Sequence, residues 1–237
     1  MNMTIAWITA RGLFGRKRFL LLLPMPIILI GVTAVGLAFD APAADLAETV
    51  LLGLGVATVL PLVSLIVGTG VLGSEIDDGT VVHILAKPIP RGRIIMAKLA
   101  VAASVSAVAT AVPMFAAGAM IGGTRLGAGF ALACVAGALA YSALFLALSV
   151  LTRRPVLLGL LYVVIWEGLI SNLVAGTRTV SVQHYVIRFA AELSGSEWFR
   201  TTVSTAVAAV MTAVVTVAGT WLAARRLRSF SVAGETS

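Results

Sequence analysis

Apolar residues run along this chain in long unbroken blocks, not in the alternation of a half-buried strand or the stripe of a surface helix. Charge-free runs cover residues 19–39, 49–74, 99–124, 126–152 and 201–224, and a further run, 155–177, is broken once by Glu167. Each is as long as the roughly 20 residues that an α-helix needs to cross the hydrocarbon core. The pattern predicts an all-α integral membrane protein with six spans, at about 19–39, 50–74, 99–121, 127–151, 155–175 and 202–224, in a single transmembrane domain over 1–237. A β-barrel would instead show alternating segments of about ten residues. The first run reads as a retained anchor and not a cleaved leader, because it is continuous and no small-residue cleavage site follows before Asp40.

The polar stretches between these runs carry patterns of their own. In residues 1–18, Met3, Trp7, Ala10 and Phe14 form an apolar stripe beside Thr4, Arg11, Gly15 and Arg18. This predicts an interfacial helix lying on the membrane surface, anchored by Trp7, Arg11 and Arg16. In 176–200, Val182, Val186, Phe189 and Leu193 follow helical spacing, with His184, Arg188 and Glu192 on an adjacent strip. A short amphipathic helix at or in the outer leaflet is expected, with Tyr185 and Trp198 in the interfacial belt.

The longest interruption is the polar island Glu75–Lys98, EIDDGTVVHILAKPIPRGRIIMAK, flanked by 26 uncharged residues on either side. Asp78-Gly79 signals a turn and Thr80 is a suitable helix cap. Val81 to Ala86 then makes up to two helical turns before Pro88, which the helix cannot enter. Pro90 suits the start of a second helix that carries Arg91, Arg93 and Lys98 into the third span. A span, an acidic exit, a short helix, a proline corner and a basic re-entry form a shaped element, and a plain connector needs none of that.

Composition agrees with the hydropathy pattern. The chain of 237 residues is 59% hydrophobic and 11% charged, with a mean hydropathy of +1.05, against about a quarter charged in a soluble domain. Lys and Arg then set the orientation. With the N-terminus in the cytoplasm, 13 basic residues fall inside, and Arg125, Arg178, Arg188 and Arg200 fall outside. Both termini and the island are therefore expected on the cytoplasmic side of a multi-pass membrane protein. The net charge of +7 is accounted for as an insertion signal. With no aqueous domain to carry a basic face, no nucleic-acid partner is expected.

Several chemistries are missing. No Gly is followed by Lys, so the GxxxxGK[ST] phosphate-binding loop is absent. Cys134 is the one cysteine, and His83 and His184 fall on opposite sides of the predicted membrane, so no metal site is expected. No nucleophile elbow or carboxylate pair occurs, and catalysis within the chain is not expected. Glu167 stands apart, about 18 Å along the helix axis from the start of its span. An ionisable group there costs on the order of 2.5–3.5 kcal/mol to insert, so it must face the bundle, water or a partner. It either lines a translocation path or external gate, or hydrogen-bonds the helix that follows.

The island, together with the topology, resembles the cytoplasmic loop between the second and third spans of ABC-2 type exporter permeases. The matching elements are Glu75, Asp78, Gly79-Thr80, Ile84-Leu85, Pro88, Arg91 and Lys98. The second acidic position holds Asp where Glu is more frequent. The six spans, the basic N-terminal segment, the Trp166-Glu167 pair and the helical segment before the last span extend the resemblance over almost the whole chain. The resemblance implies a coupling helix, Thr80–Ala86, seated in a groove of a separate ATPase subunit. Glu75, Asp78, Gly79, Thr80, Val81, His83, Ile84, Leu85, Pro88 and Arg91 would form the docking element. It further implies two ATPase copies that bind ATP and Mg2+, with no cofactor in this chain. The permease would pair with a second copy or a related permease among the lipids of a bacterial inner membrane. Such a subunit is non-catalytic by itself and exports a hydrophobic or amphiphilic cargo, as in multidrug or lipid efflux. A stand-alone secondary transporter and a membrane scaffold are the two other classes that the residues allow.

Overall fold

The computed structural model of the chain describes residues 24–77, 90–196, 198–199 and 201–229. Among these the regular elements are all helical. Five helices are long and apolar enough to cross a membrane: Ala43–Leu72, Arg91–Gly122, Thr124–Leu151, Pro155–Leu173 and Thr205–Leu227. The first predicted span is represented by α1 (Pro24–Ala38), a shorter apolar helix of 15 residues. Residues 19–23 lie outside the described residues, as does the predicted interfacial helix 1–18 with Trp7, Arg11 and Arg16.

The second span is built from α2 (Ala43–Leu46), a π-helical segment (Ala47–Val59) and α3 (Leu60–Asp77), one continuous rod. It starts earlier than the expected 50 because Asp45 and Glu48 do not end the helix. Acidic side chains in a first turn face the positive end of the helix dipole and are stabilised there. The third helix, α4 (Arg91–Gly122), likewise begins before the expected 99. Pro90 occupies its cap position, and the basic residues Arg91, Arg93 and Lys98 are carried on helix although the charge-free run starts only after them. Charge marks where the hydrocarbon ends, whereas backbone hydrogen bonding continues until a proline or glycine stops it.

Next come α5 (Thr124–Leu151), α6 (Pro155–Leu161), a second π segment (Tyr162–Ile170), α7 (Ser171–Leu173) and a 3-10 turn (Ala175–Val180). The chain then forms α8 (Val182–Ser194) and α9 (Thr205–Ser229). The middle of the bundle is α5, which packs against α3, α4, α8 and α9. Close approach is possible because small residues line the contacts. A Cβ on Gly118 would lie 2.7 Å from the Cα of Gly127, so α4 and α5 touch backbone to backbone.

Candidate functional site

Glu167 lies on the π segment of the fifth span and is 1% exposed. Its carboxylate accepts four hydrogen bonds. Oε1 takes the Tyr162 hydroxyl at 2.7 Å and the Val182 amide at 3.0 Å. Oε2 takes the Ser181 hydroxyl and, at 3.4 Å, the Gln183 amide. The two amides are the first N–H groups of α8, which the helix itself leaves without partners. Glu167 therefore closes the N-terminus of α8 from another element, and the positive end of the helix dipole faces a negative charge. That compensates a carboxylate inside an apolar segment that pairs with no basic side chain among the described residues.

The surroundings brace the same joint. Ser181 is the N-cap of α8, accepting from the His184 amide at 3.4 Å. Its hydroxyl has a single proton, which goes to Glu167, so the 2.9 Å contact with His184 Nδ1 requires that ring nitrogen to donate. The Tyr185 hydroxyl donates to the Thr179 carbonyl at 2.6 Å. On the other arm, Ser171 Oγ and Asn172 Nδ2 donate to the Glu167 carbonyl at 2.6 and 3.1 Å. These bonds satisfy backbone groups where the fifth span turns back toward α8.

The register of α8 on α5 gives its direction. The Ser194 backbone lies against Gly129, and Val186 lies against Gly137. Both contacts are eight residues apart, so the helices run antiparallel and side by side, and the Val186 end lies about 12 Å deeper. This is a steep re-entrant helix whose N-terminus meets Glu167 at depth. Gly195, with φ 63°, ends it in the left-handed conformation that glycine adopts freely. Toward its C-terminal end the helix is tied by Arg188, which bonds Glu192 at 2.5 Å and Thr205 of α9 at 2.8 Å. The expected polar strip thus splits: His184 is buried against the protein, while Arg188 and Glu192 form the link to α9.

Of the predicted docking residues, Glu75 lies in the last turn of α3 and Arg91 is the first residue of α4. Asp78, Gly79, Thr80, Val81, His83, Ile84, Leu85 and Pro88 lie outside the described residues. What is described is the base of the loop. Lys98 is fully buried on α4, and its Nζ donates to the Val71 carbonyl of α3 at 2.7 Å. The two arms that lead into and out of the island are therefore joined by a charged hydrogen bond.

Tyr162 and Ser181 were not legible as partners of Glu167. The Tyr162–Glu167 pair is spaced i, i+5, which shares a face only in the widened π turn, and Ser181 arrives from 14 residues away. The Ser before an apolar helical run was a usable capping signal for α8. Among the described residues no group of three or more His, Cys, Asp or Glu is placed to hold a metal.

Comparison with known proteins gives one family. The model described as ABC-2 family transporter protein matches residues 16–175. No curated protein matches the chain.

Proposed function

Because the chain belongs to the ABC-2 transporter family, we propose that it is the membrane-spanning subunit of an exporter powered by a separately encoded ATPase. Two copies, or one copy and a related permease, pair in a bacterial inner membrane and receive two ATPase subunits on their cytoplasmic side. The ATPases bind ATP and Mg2+; this chain supplies the path for a hydrophobic or amphiphilic cargo. One observation carries the reading: the family match runs through the whole island between the second and third spans.

Physical reasoning supports the island as the contact. A subunit without a nucleotide-binding loop receives work only through a mechanical joint, and a joint transmits motion only if its base is stiff. Lys98 stiffens that base by joining α4 to the Val71 carbonyl of α3. ATP-driven movement of the docking segment is then passed to two spans together. The α8–Glu167 joint, in turn, holds the fifth span and its re-entrant helix as one body, so that displaced spans reshape the path without unravelling it.

The test is co-purification of the permease with its ATPase, comparing the native chain with the double variant D78R/R91E. Recovery of the ATPase is expected to fall at least about tenfold, the effect of losing about 1.4 kcal/mol of binding. The variant permease itself should stay monodisperse. A complex recovered in full, with ATP-dependent transport intact, removes the island as the docking element.

A further inference from the structure

The face of α9 that the other described residues leave open ends in a Trp–Arg pair. Val210, Ala213, Val214, Val217, Ala218 and Trp221 line an open apolar groove of about 610 Å³ along the helix. Val210 is 61% exposed and Val217 67%, so none of the described residues fills it. The two alanines form the floor between the valines. From Val210 to Trp221 the groove runs eleven residues, about 16 Å, close to the roughly 15 Å of one leaflet's hydrocarbon. One turn further on, the Arg225 guanidinium lies 5.2 Å from the centroid of the Trp221 ring, within the range of a cation–π contact.

We propose that this face binds an anionic glycerophospholipid, with an acyl chain in the Val210–Trp221 groove and the phosphate on Arg225. The contact with Trp221 holds the guanidinium beside the ring, and its forked N–H donors can grip two phosphate oxygens at once, a geometry that lysine does not offer. The site sits at the C-terminal end of the last span, where Trp and Arg meet the headgroups. Charge also argues against a second copy of this chain as the occupant. A two-fold axis along the membrane normal and beside this face would bring α9 against α9 in parallel, setting Arg225 beside its own counterpart. A lipid phosphate neutralises the same charge.

The test uses the full chain with Trp7, Trp166 and Trp198 replaced by Phe, so that Trp221 alone fluoresces. It is reconstituted in vesicles containing either brominated phosphatidylglycerol or brominated phosphatidylcholine at equal mole fraction, the other lipid being unlabelled. Brominated phosphatidylglycerol should quench Trp221 with about a fivefold apparent preference, as one surface arginine confers. R225Q should remove most of the preference, leaving what Arg226 and Arg228 confer, and R225K should keep more of it than R225Q. Equal quenching by both lipids in the native background overturns the proposal, as does a preference that R225Q leaves unchanged. Efficient disulfide cross-linking of V214C between copies, with no quenching by either lipid, overturns it in favour of a protein-covered face.

Discussion

Glu167 carries its charge into an apolar span, and what makes that tolerable is the set of four donors around it. All four offer protons, so a carboxylate matches them and an amide does not. In Glu167→Gln one acceptor oxygen becomes an NH2 that faces other donors, and the Tyr162 or Ser181 hydroxyl can turn to accept but the backbone amides of α8 cannot. A stranded buried amide costs about 1–3 kcal/mol, so the variant should unfold at a lower temperature in detergent, measured on a fluorescently tagged chain. Unchanged or raised stability would mean that the carboxylate does not hold α8. The sequence identified Glu167 as the residue requiring a partner, because a charge in an apolar run is visible without coordinates. That it could hydrogen-bond the helix that follows was legible too, and the structure bears this out; which groups it bonds was not, since they depend on a π turn and on a helix that folds back from 14 to 16 residues away.

At the scale of elements, hydropathy located the apolar rods well and their ends poorly. The second and third helices run past the charges that bounded the expected spans, for the reason that a helix ends by its backbone and a span ends by its side chains. The helix between the last two spans was legible from its periodicity, but its buried face was not. Val182 and Val186 are buried as the apolar stripe suggested, yet Leu193 is exposed and Gln183, His184 and Ser194 are buried with them. A helix packed on two sides, against α5 and α9, has no single polar face to read. Gly129 makes that packing possible: a Cβ there would lie 2.7 Å from the Ser194 amide nitrogen. Gly129→Val should therefore push α8 off α5 and raise protease cleavage around 195–199, whereas Gly31→Val, which meets nothing within 4 Å, should not. Equal cleavage in both would argue against a tight α5–α8 seam.

For the whole molecule, the distribution of Lys and Arg predicts the island and both termini on one side, with Asp40 and Gly195 on the other. A membrane-impermeant maleimide applied to intact cells should label cysteines placed at 40 and 195 and spare one placed at 91, with Cys134 replaced by Ser. Cys134 is fully buried, so its removal should be silent. Labelling at 91 from outside would invert the orientation and with it the docking surface.

The sequence by itself determined that this is a helical membrane protein, where its apolar rods lie, and which charge inside them needs compensation. Those properties follow from local composition, because every residue of a long apolar block prefers lipid whatever its neighbours are. Only the tertiary structure decided which groups at the start of α8 compensate the charge, that Lys98 joins the two arms of the island, and that the Val210–Trp221 face of α9 is open among the described residues. These arise from contacts between residues far apart in the chain, and a hydropathy pattern holds no record of which rods touch.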